Sequence, residues 1–319
     1  MKSTSTYPDK PQMRDDWIVR QRGLRNEVDH SRPVTFLVEQ EHLSNGEIGS
    51  IATIFLTNRE CPWRCVMCDL WKNTSAETVP VGAIPQQIDY ALSHLPAARQ
   101  VKLYNSGSFF DPRAIPLRDY PAIASLVRHF ERVIIESHPA LIHHGCLEFN
   151  RLLGTQLEVA MGLETAHPTV LEQLNKRMSL DQYHAAADFL QNNGIDLRSF
   201  ILVQPPFMKP EDSLHWACRS IDFAASCQAT AISLIPTRGG NGAMEQIALE
   251  GDFLPPELAV IEDAQDYGLA LQKGRIFVDE WDLDRIAVAS CCRVDRLQRI
   301  RQVNLSQHKV VRVECGHTI

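Results

Sequence analysis

The chain has 319 residues, 44% of them apolar and 22% charged, with 32 Lys and Arg against 39 Asp and Glu for a net charge of −7. Ordinary globular composition at this length excludes disorder, collagen and coiled coil, and the acidic balance excludes a general basic coat for nucleic acid. At roughly 150 residues per domain the length allows two domains, although one α/β barrel can use most of it.

In chain order, Met1 to Gln12 is polar and lacks an apolar h-region, so no secretory signal is expected. Asp15 to Arg25 predicts a short helix carrying Arg20, Arg22 and Arg25. Ile51 to Thr57 is a β-branched apolar run of strand length, far short of the ~20 residues of a membrane span. Cys61, Cys65 and Cys68 follow it in a C-x3-C-x2-C loop. Ile84, Ile88, Leu92 and Leu95 then recur at helical spacing. Further strands are predicted at Gln100 to Tyr104, Arg132 to Glu136, Leu157 to Met161, Arg198 to Val203, Thr230 to Ile235 and Arg275 to Val278. Helices are predicted between them, among others at Leu180 to Asn193, stopped by Gly194, and at Glu211 to Ala225. Apolar strands alternating with amphipathic helices call for a parallel sheet covered by helices. The fold class expected is α/β, a partial or full (β/α) barrel with a small C-terminal extension; a doubly wound sheet is the rival. The expected organisation is an N-terminal extension over 1–49, a barrel core over 50–285 and a basic, cysteine-containing extension over 286–319.

Nine cysteines, three of them within eight positions, do not make a secreted disulfide framework, so a cytoplasmic protein with reduced thiols is expected. Three thiols on one short loop can wrap a single inorganic object. Zinc wants four closed ligands, and Cys146, Cys218 or a histidine would have to come from a distance. An electron-carrier ferredoxin supplies four cysteines. Three local thiolates suit a cubane cluster with one open iron, and the position after the first strand is where a barrel exposes reactive groups. The rival from another class is a zinc-stabilised, non-catalytic binding protein. In the tail, Cys291 or Cys292 with Cys315 and His317 could ligate zinc or a second cluster. Six basic residues from Arg293 to Arg312 could hold tRNA phosphates or form a solvated basic helix.

The cysteine spacing after a first strand resembles the signature of the radical S-adenosylmethionine (SAM) superfamily, over about residues 50 to 280. The run Leu157 to Thr165, then Val170 to Lys176 and Gly194, is similar to the branch containing the Elongator catalytic subunit. Asn105 to Asp111 and the Leu202-x-x-Pro-Pro-Phe207 strand end resemble the radical SAM subunit of archaeosine synthases.

The resemblance implies a [4Fe-4S] cluster on Cys61, Cys65 and Cys68, reductive cleavage of SAM, and hydrogen abstraction from a small-molecule, nucleobase or tRNA-linked substrate. It also implies an electron donor of the flavodoxin or ferredoxin type. Residue by residue, Asn105, Ser106, Gly107 and Ser108 match the turn that receives the methionyl amine. Glu136 and Glu164 stand where carboxylates meet the ribose or amine, with a solvated or capping acid as the alternative. Lys176 stands where a cation meets the SAM carboxylate; an exposed helix lysine is the alternative. Ile235 and Pro236 would offer backbone to adenine, and Met67 a thioether contact. His138, Gln204, Arg238 and Asp279 are candidates on the substrate side, each also readable as a hydrogen-bonded loop residue. The Arg238 to Gly242 loop could cradle an anion.

Overall fold

The computed structural model describes residues 5–285 and 292–314. Eight strands form one sheet in sequence order: β1 Thr35–His42, β2 Ile48–Phe55, β3 Gln100–Tyr104, β4 Arg132–Glu136, β5 Gln156–Glu164, β6 Asp196–Val203, β7 Ala231–Pro236 and β8 Arg275–Val278. β1 pairs antiparallel with β2, and every later pairing is parallel. Because the order never reverses, a doubly wound sheet is excluded. The sheet curls into a partial β/α barrel with β1 and β8 as its edges, and helices cover its outer face.

The parallel strands are buried on both sides, which is why they read as near-continuous apolar runs. Boundaries follow local chemistry. Helix Leu180–Asn192 starts on a capping box, with Ser179 and Gln182 each satisfying the other's backbone. The first helix lies at Pro11–Gln21 instead of Asp15 to Arg25: proline at its start pre-sets φ, and Arg22 is already extended. β1 was not expected. Its odd positions carry Glu39 and Glu41, which face the barrel interior and disguise the strand as a polar extension.

The amino ends of the strands close on a network of charges. Glu41 of β1 receives Arg198 of β6 at 2.5 Å and Lys102 of β3 at 2.6 Å. Glu158 of β5, fully buried, receives Arg198 at 2.6 Å, Arg132 at 3.0 Å and Arg275 at 3.2 Å. Lys102 also reaches Glu39, and Arg132 reaches Asp196. Four cations thus meet four carboxylates, so the plug is electrically balanced despite the cost of desolvation.

Helix Arg293–Ser306 and the residue after it cover the β8 edge. The Asn304 amide donates to the Val278 carbonyl and accepts from the Val278 N–H, each at 2.9 Å. The Gln307 amide does the same for Ile276, at 2.7 and 2.9 Å. Leu305 O receives His42 Nδ1 of β1 at 2.9 Å, so this helix spans the seam between the two edges. Side-chain amides here substitute for a ninth strand and satisfy backbone groups that an open edge would leave bare.

Candidate functional site

The loop after β2 rises at the carboxyl mouth of the barrel and is held from several sides. At its root, the Thr57 N–H donates to Gln87 Oε1 while Gln87 Nε2 donates to the Thr57 carbonyl. Val66 N–H donates to Leu174 O at 3.0 Å. Two buried asparagines complete the brace: Asn175 donates to Arg64 O at 2.8 Å, and Asn241 to Val66 O at 2.7 Å and Cys68 O at 3.1 Å. Asn175 adopts φ +59°, a conformation that asparagine tolerates better than most residues.

Cys61, Cys65 and Cys68 are free thiols, each half-buried on this loop. Burial pushes Cys61 up to about 11 and Cys68 up to about 12, and holds Cys65 well above the usual thiol value; the Lys176 ammonium works the other way on Cys61 and Cys65. Such thiols become good ligands when a cation joins them. Among the described residues no group of three or more His, Cys, Asp and Glu is gathered tightly enough to hold a metal ion. The fit to a cluster therefore rests on the donor chemistry and on the surrounding cradle.

That cradle is the turn after β3. Asn105 is fully buried, and neither its amide nitrogen nor its amide oxygen has a partner among the described residues. Buried amide atoms left this way are expensive, which marks a place made for something polar. A Cβ on Gly107 would stand 3.2 Å from Cys61 Cβ, so glycine lets the turn lie against the cysteine loop. Glu136 holds the turn from beneath, accepting from Asn105 N–H at 2.6 Å and Gly107 N–H at 3.4 Å. Burial raises its pKa to about 6 against the pull of those N–H groups. Ser108 Oγ accepts from the His138 N–H at 2.8 Å.

Glu164 and Lys176 form a buried ion pair. Burial works to strip the lysine of its charge, but Glu164 and Cys65 outweigh it and its pKa stands above the ordinary value. The pair lies directly over Gly162, where any Cβ would collide with both charged ends. Lys176 is therefore no exposed helix lysine, and Glu164 no solvated acid. Ile235 and Met67 each pack, partly buried, against an apolar cluster containing Val66, Leu174 and Leu202.

Of the four substrate-side candidates, two turn out to be braces. His138 stacks on Trp63 of the cysteine loop, centroids 3.7 Å apart at 10°. Its Nδ1 accepts from the Ala140 N–H, so Nε2 carries the proton and donates to Lys176 O at 3.0 Å. Burial and Lys176 push its pKa down to about 3, which keeps the ring neutral. Gln204 donates to Met208 O inside its own turn. Arg238 and Asp279 do come together, 3.7 Å apart, each about one-third exposed, and burial raises the Asp279 pKa. Tyr104, which the sequence had not singled out, lies edge-on to Phe55 and Phe200 on the inner face.

The Arg238 to Gly242 loop is a strap and not an anion cradle: Glu245 accepts the N–H groups of Gly240 and Gly242, and Asn241 reaches the cysteine loop. The basic tail is largely spent internally. Arg296 pairs with Glu262, Arg299 with Asp266, Arg301 with Glu280, and Arg312 with Asp263 and Asp266. Of the proposed tail metal ligands, Cys291, Cys315 and His317 lie outside the described residues.

No family model matches the chain. It is 24% identical to an uncharacterised protein of Methanocaldococcus jannaschii over 93% of its own length and 88% of the relative's. It is 25% identical to the archaeosine synthase subunit beta of Methanosarcina acetivorans over 69% of its length and 67% of that protein's. Among solved structures, Elp3 of the archaeon Methanocaldococcus infernus superposes with a TM-score of 0.51 at 13% identity, covering 69% of this chain and 59% of that one. The resemblance to the Elongator branch thus holds at the level of the fold.

Proposed function

We propose that the protein is a radical SAM enzyme that holds one [4Fe-4S] cluster on Cys61, Cys65 and Cys68 and binds SAM at the same barrel mouth. One observation carries this reading above the rest: three thiols share a braced loop at the mouth of a parallel, open barrel, pressed against a turn whose buried Asn105 amide lacks any partner among the described residues. The other described cysteines sit in the helices or at their ends, so the fourth corner of a cubane is left to the small molecule. When bound, the reduced cluster supplies the electron that cleaves SAM and so initiates hydrogen-atom abstraction from the substrate.

The chain's own residues then have defined work. Lys176 offsets the negative charge of the thiolates and offers a point charge to the methionyl carboxylate, while Glu164 keeps it ionised and in place. Glu136 fixes the backbone of the 105–108 turn, and Asn105 presents its free amide to the methionyl end. Ile235 and Met67 give the adenine an apolar shelf. Tyr104, Phe55 and Phe200 floor the lumen below, with Arg238 and Asp279 at its rim as substrate contacts. A nucleobase-type or tRNA-linked substrate is favoured by the likeness to an archaeosine synthase subunit; a small metabolite is the alternative. A flavodoxin or ferredoxin would supply electrons in the cytoplasm, where free thiols persist.

Anaerobic reconstitution tests the reading. About four irons with matching sulfide, and release of 5'-deoxyadenosine from SAM under a strong reductant, are expected. Zinc alone, with SAM left intact, would instead make this a zinc-stabilised binding protein.

A further inference from the structure

The cysteine loop has a second face. Arg25, Arg59, Glu60, Pro62, Arg64 and Arg113 line a cavity of about 360 Å³, within the size range of small-ligand sites. The cavity shares no lining residue with the cradle formed by Gly107, Asn105 and Lys176, and its walls come from loops and not from the strands. In a chain of net charge −7, this rim is rich in guanidinium groups.

The positive charges outnumber the negative ones. Among the described residues Glu60 is the one carboxylate paired with these three arginines: Arg22 at 2.7 Å, Arg64 at 3.1 Å, and Arg25. Arg25 donates besides to the Thr74 carbonyl and hydroxyl, and Arg64 to the Cys61 and Trp63 carbonyls. Arg113 has Asp111 at 3.2 Å. The Arg59 side chain has no hydrogen bond or ion pair among the described residues, and Arg22 Nε is buried without an acceptor. Neutral carbonyl and hydroxyl acceptors take up N–H groups but cancel no charge, so three guanidinium groups on one carboxylate leave a surplus of positive charge. Like charges held this close repel unless an anion joins them. A carboxylate would need only one of these forks. A tetrahedral phosphate, with several acceptor oxygens and up to two negative charges, uses several at once.

We propose that this cavity binds the phosphate group of a phosphorylated ligand. If the radical SAM reading holds, and this extension rests on it, the phosphate is the remote handle of the substrate. Pro62 and Arg64 belong to the cysteine loop itself, so a molecule anchored there stands at the entrance to the lumen. Binding energy from such a distant group can position the reacting end.

The test uses the full chain, titrated calorimetrically with inorganic phosphate, a nucleoside 5'-monophosphate and a ten-nucleotide single-stranded RNA. Saturable binding is expected, weakened at least tenfold by Arg59→Ala. Arg59→Lys should lose less, since it keeps the charge without the fork. Arg59 has no side-chain partner among the described residues, and Arg113→Ala, at an exposed position, gives a second variant; unchanged melting temperatures confirm that both fold. Tighter binding of RNA with a salt slope of several units assigns the phosphate to a nucleic-acid backbone. Equal binding of the nucleotide with a slope near one assigns it to a small phosphorylated molecule. Absence of saturable binding by all three probes, or binding unchanged in both variants, overturns the proposal. Phosphate binding is read without cluster or SAM cleavage, so its failure leaves the radical SAM reading standing, and the reverse is equally true.

Discussion

Single residues at the mouth divide into those that offer an atom and those that hold the offer in place. Cys65→Ala should abolish cluster retention while the barrel stays folded, read as iron per chain against far-UV circular dichroism. Lys176→Ala should weaken SAM binding more than it weakens cluster binding, since its ammonium faces the site while the braces of the loop run through Asn175, Asn241 and Leu174. Equilibrium dialysis with SAM on the reconstituted variant makes that comparison. Gly162→Ala places a methyl group where Glu164 and Lys176 meet. Both atoms it meets are the far ends of flexible side chains that can give way, so the denaturation midpoint should fall little while displacement of the ion pair lowers SAM affinity. The cysteine loop stood out by type and spacing, while Lys176 was reached only through the resemblance and its burial against Glu164 was not legible. Asn175 and Asn241 were not, because an amide that braces a loop carbonyl looks in sequence like any turn residue. His138 was legible as a strand-end group but not as a brace, since its stacking on Trp63 joins residues 75 positions apart.

At the scale of the element, the strand–helix alternation was readable because parallel strands buried on both faces must be apolar throughout. β1 escaped notice for the opposite reason: its inward face is charged, and its partners Lys102 and Arg198 lie far along the chain. Helix Arg293–Ser306 shows the same limit. Its basic residues invited a nucleic-acid role, yet the acids that consume them sit mainly on helix Leu258–Leu271, and their pairing exists only after folding. Asn304→Ala would strip the buried Val278 N–H and C=O of their partner. Each orphaned group costs about 1–3 kcal/mol, so a loss of about 2–5 kcal/mol in urea unfolding is expected, larger than for an exposed substitution on the same helix.

For the molecule as a whole, the charged plug at the amino ends of the strands ties acid stability to Glu39, Glu41 and Glu158, all held below the ordinary carboxylate value. Burial opposes ionisation of Glu41 and Glu158, but Arg198 with Lys102 for the first, and Arg198, Arg275 and Arg132 for the second, hold both below the usual value of 4.5. A depressed pKa stabilises the fold at pH above the unfolded value and loses that contribution as the pH falls through the folded one. Melting temperature should therefore be flat near neutrality and fall below about pH 4.5. Glu158→Gln leaves three guanidinium groups with one acceptor fewer, a loss of about 3–5 kcal/mol at neutral pH, and the remaining acid dependence should be shallower.

Local chemistry alone determined the α/β fold class: the apolar strand rhythm is a short-range pattern, and the C-x3-C-x2-C loop offers three thiols within a few residues. Tertiary structure decided what those patterns face. It set Lys176 against Glu164 over Gly162, left the Asn105 amide buried and unpaired among the described residues, spent most of the basic tail on internal carboxylates, and gathered arginines from three separate stretches around one cavity. Charge and hydrogen bonding act through space, so whether an ionisable side chain is spent or available depends on neighbours that only the folded chain brings within reach.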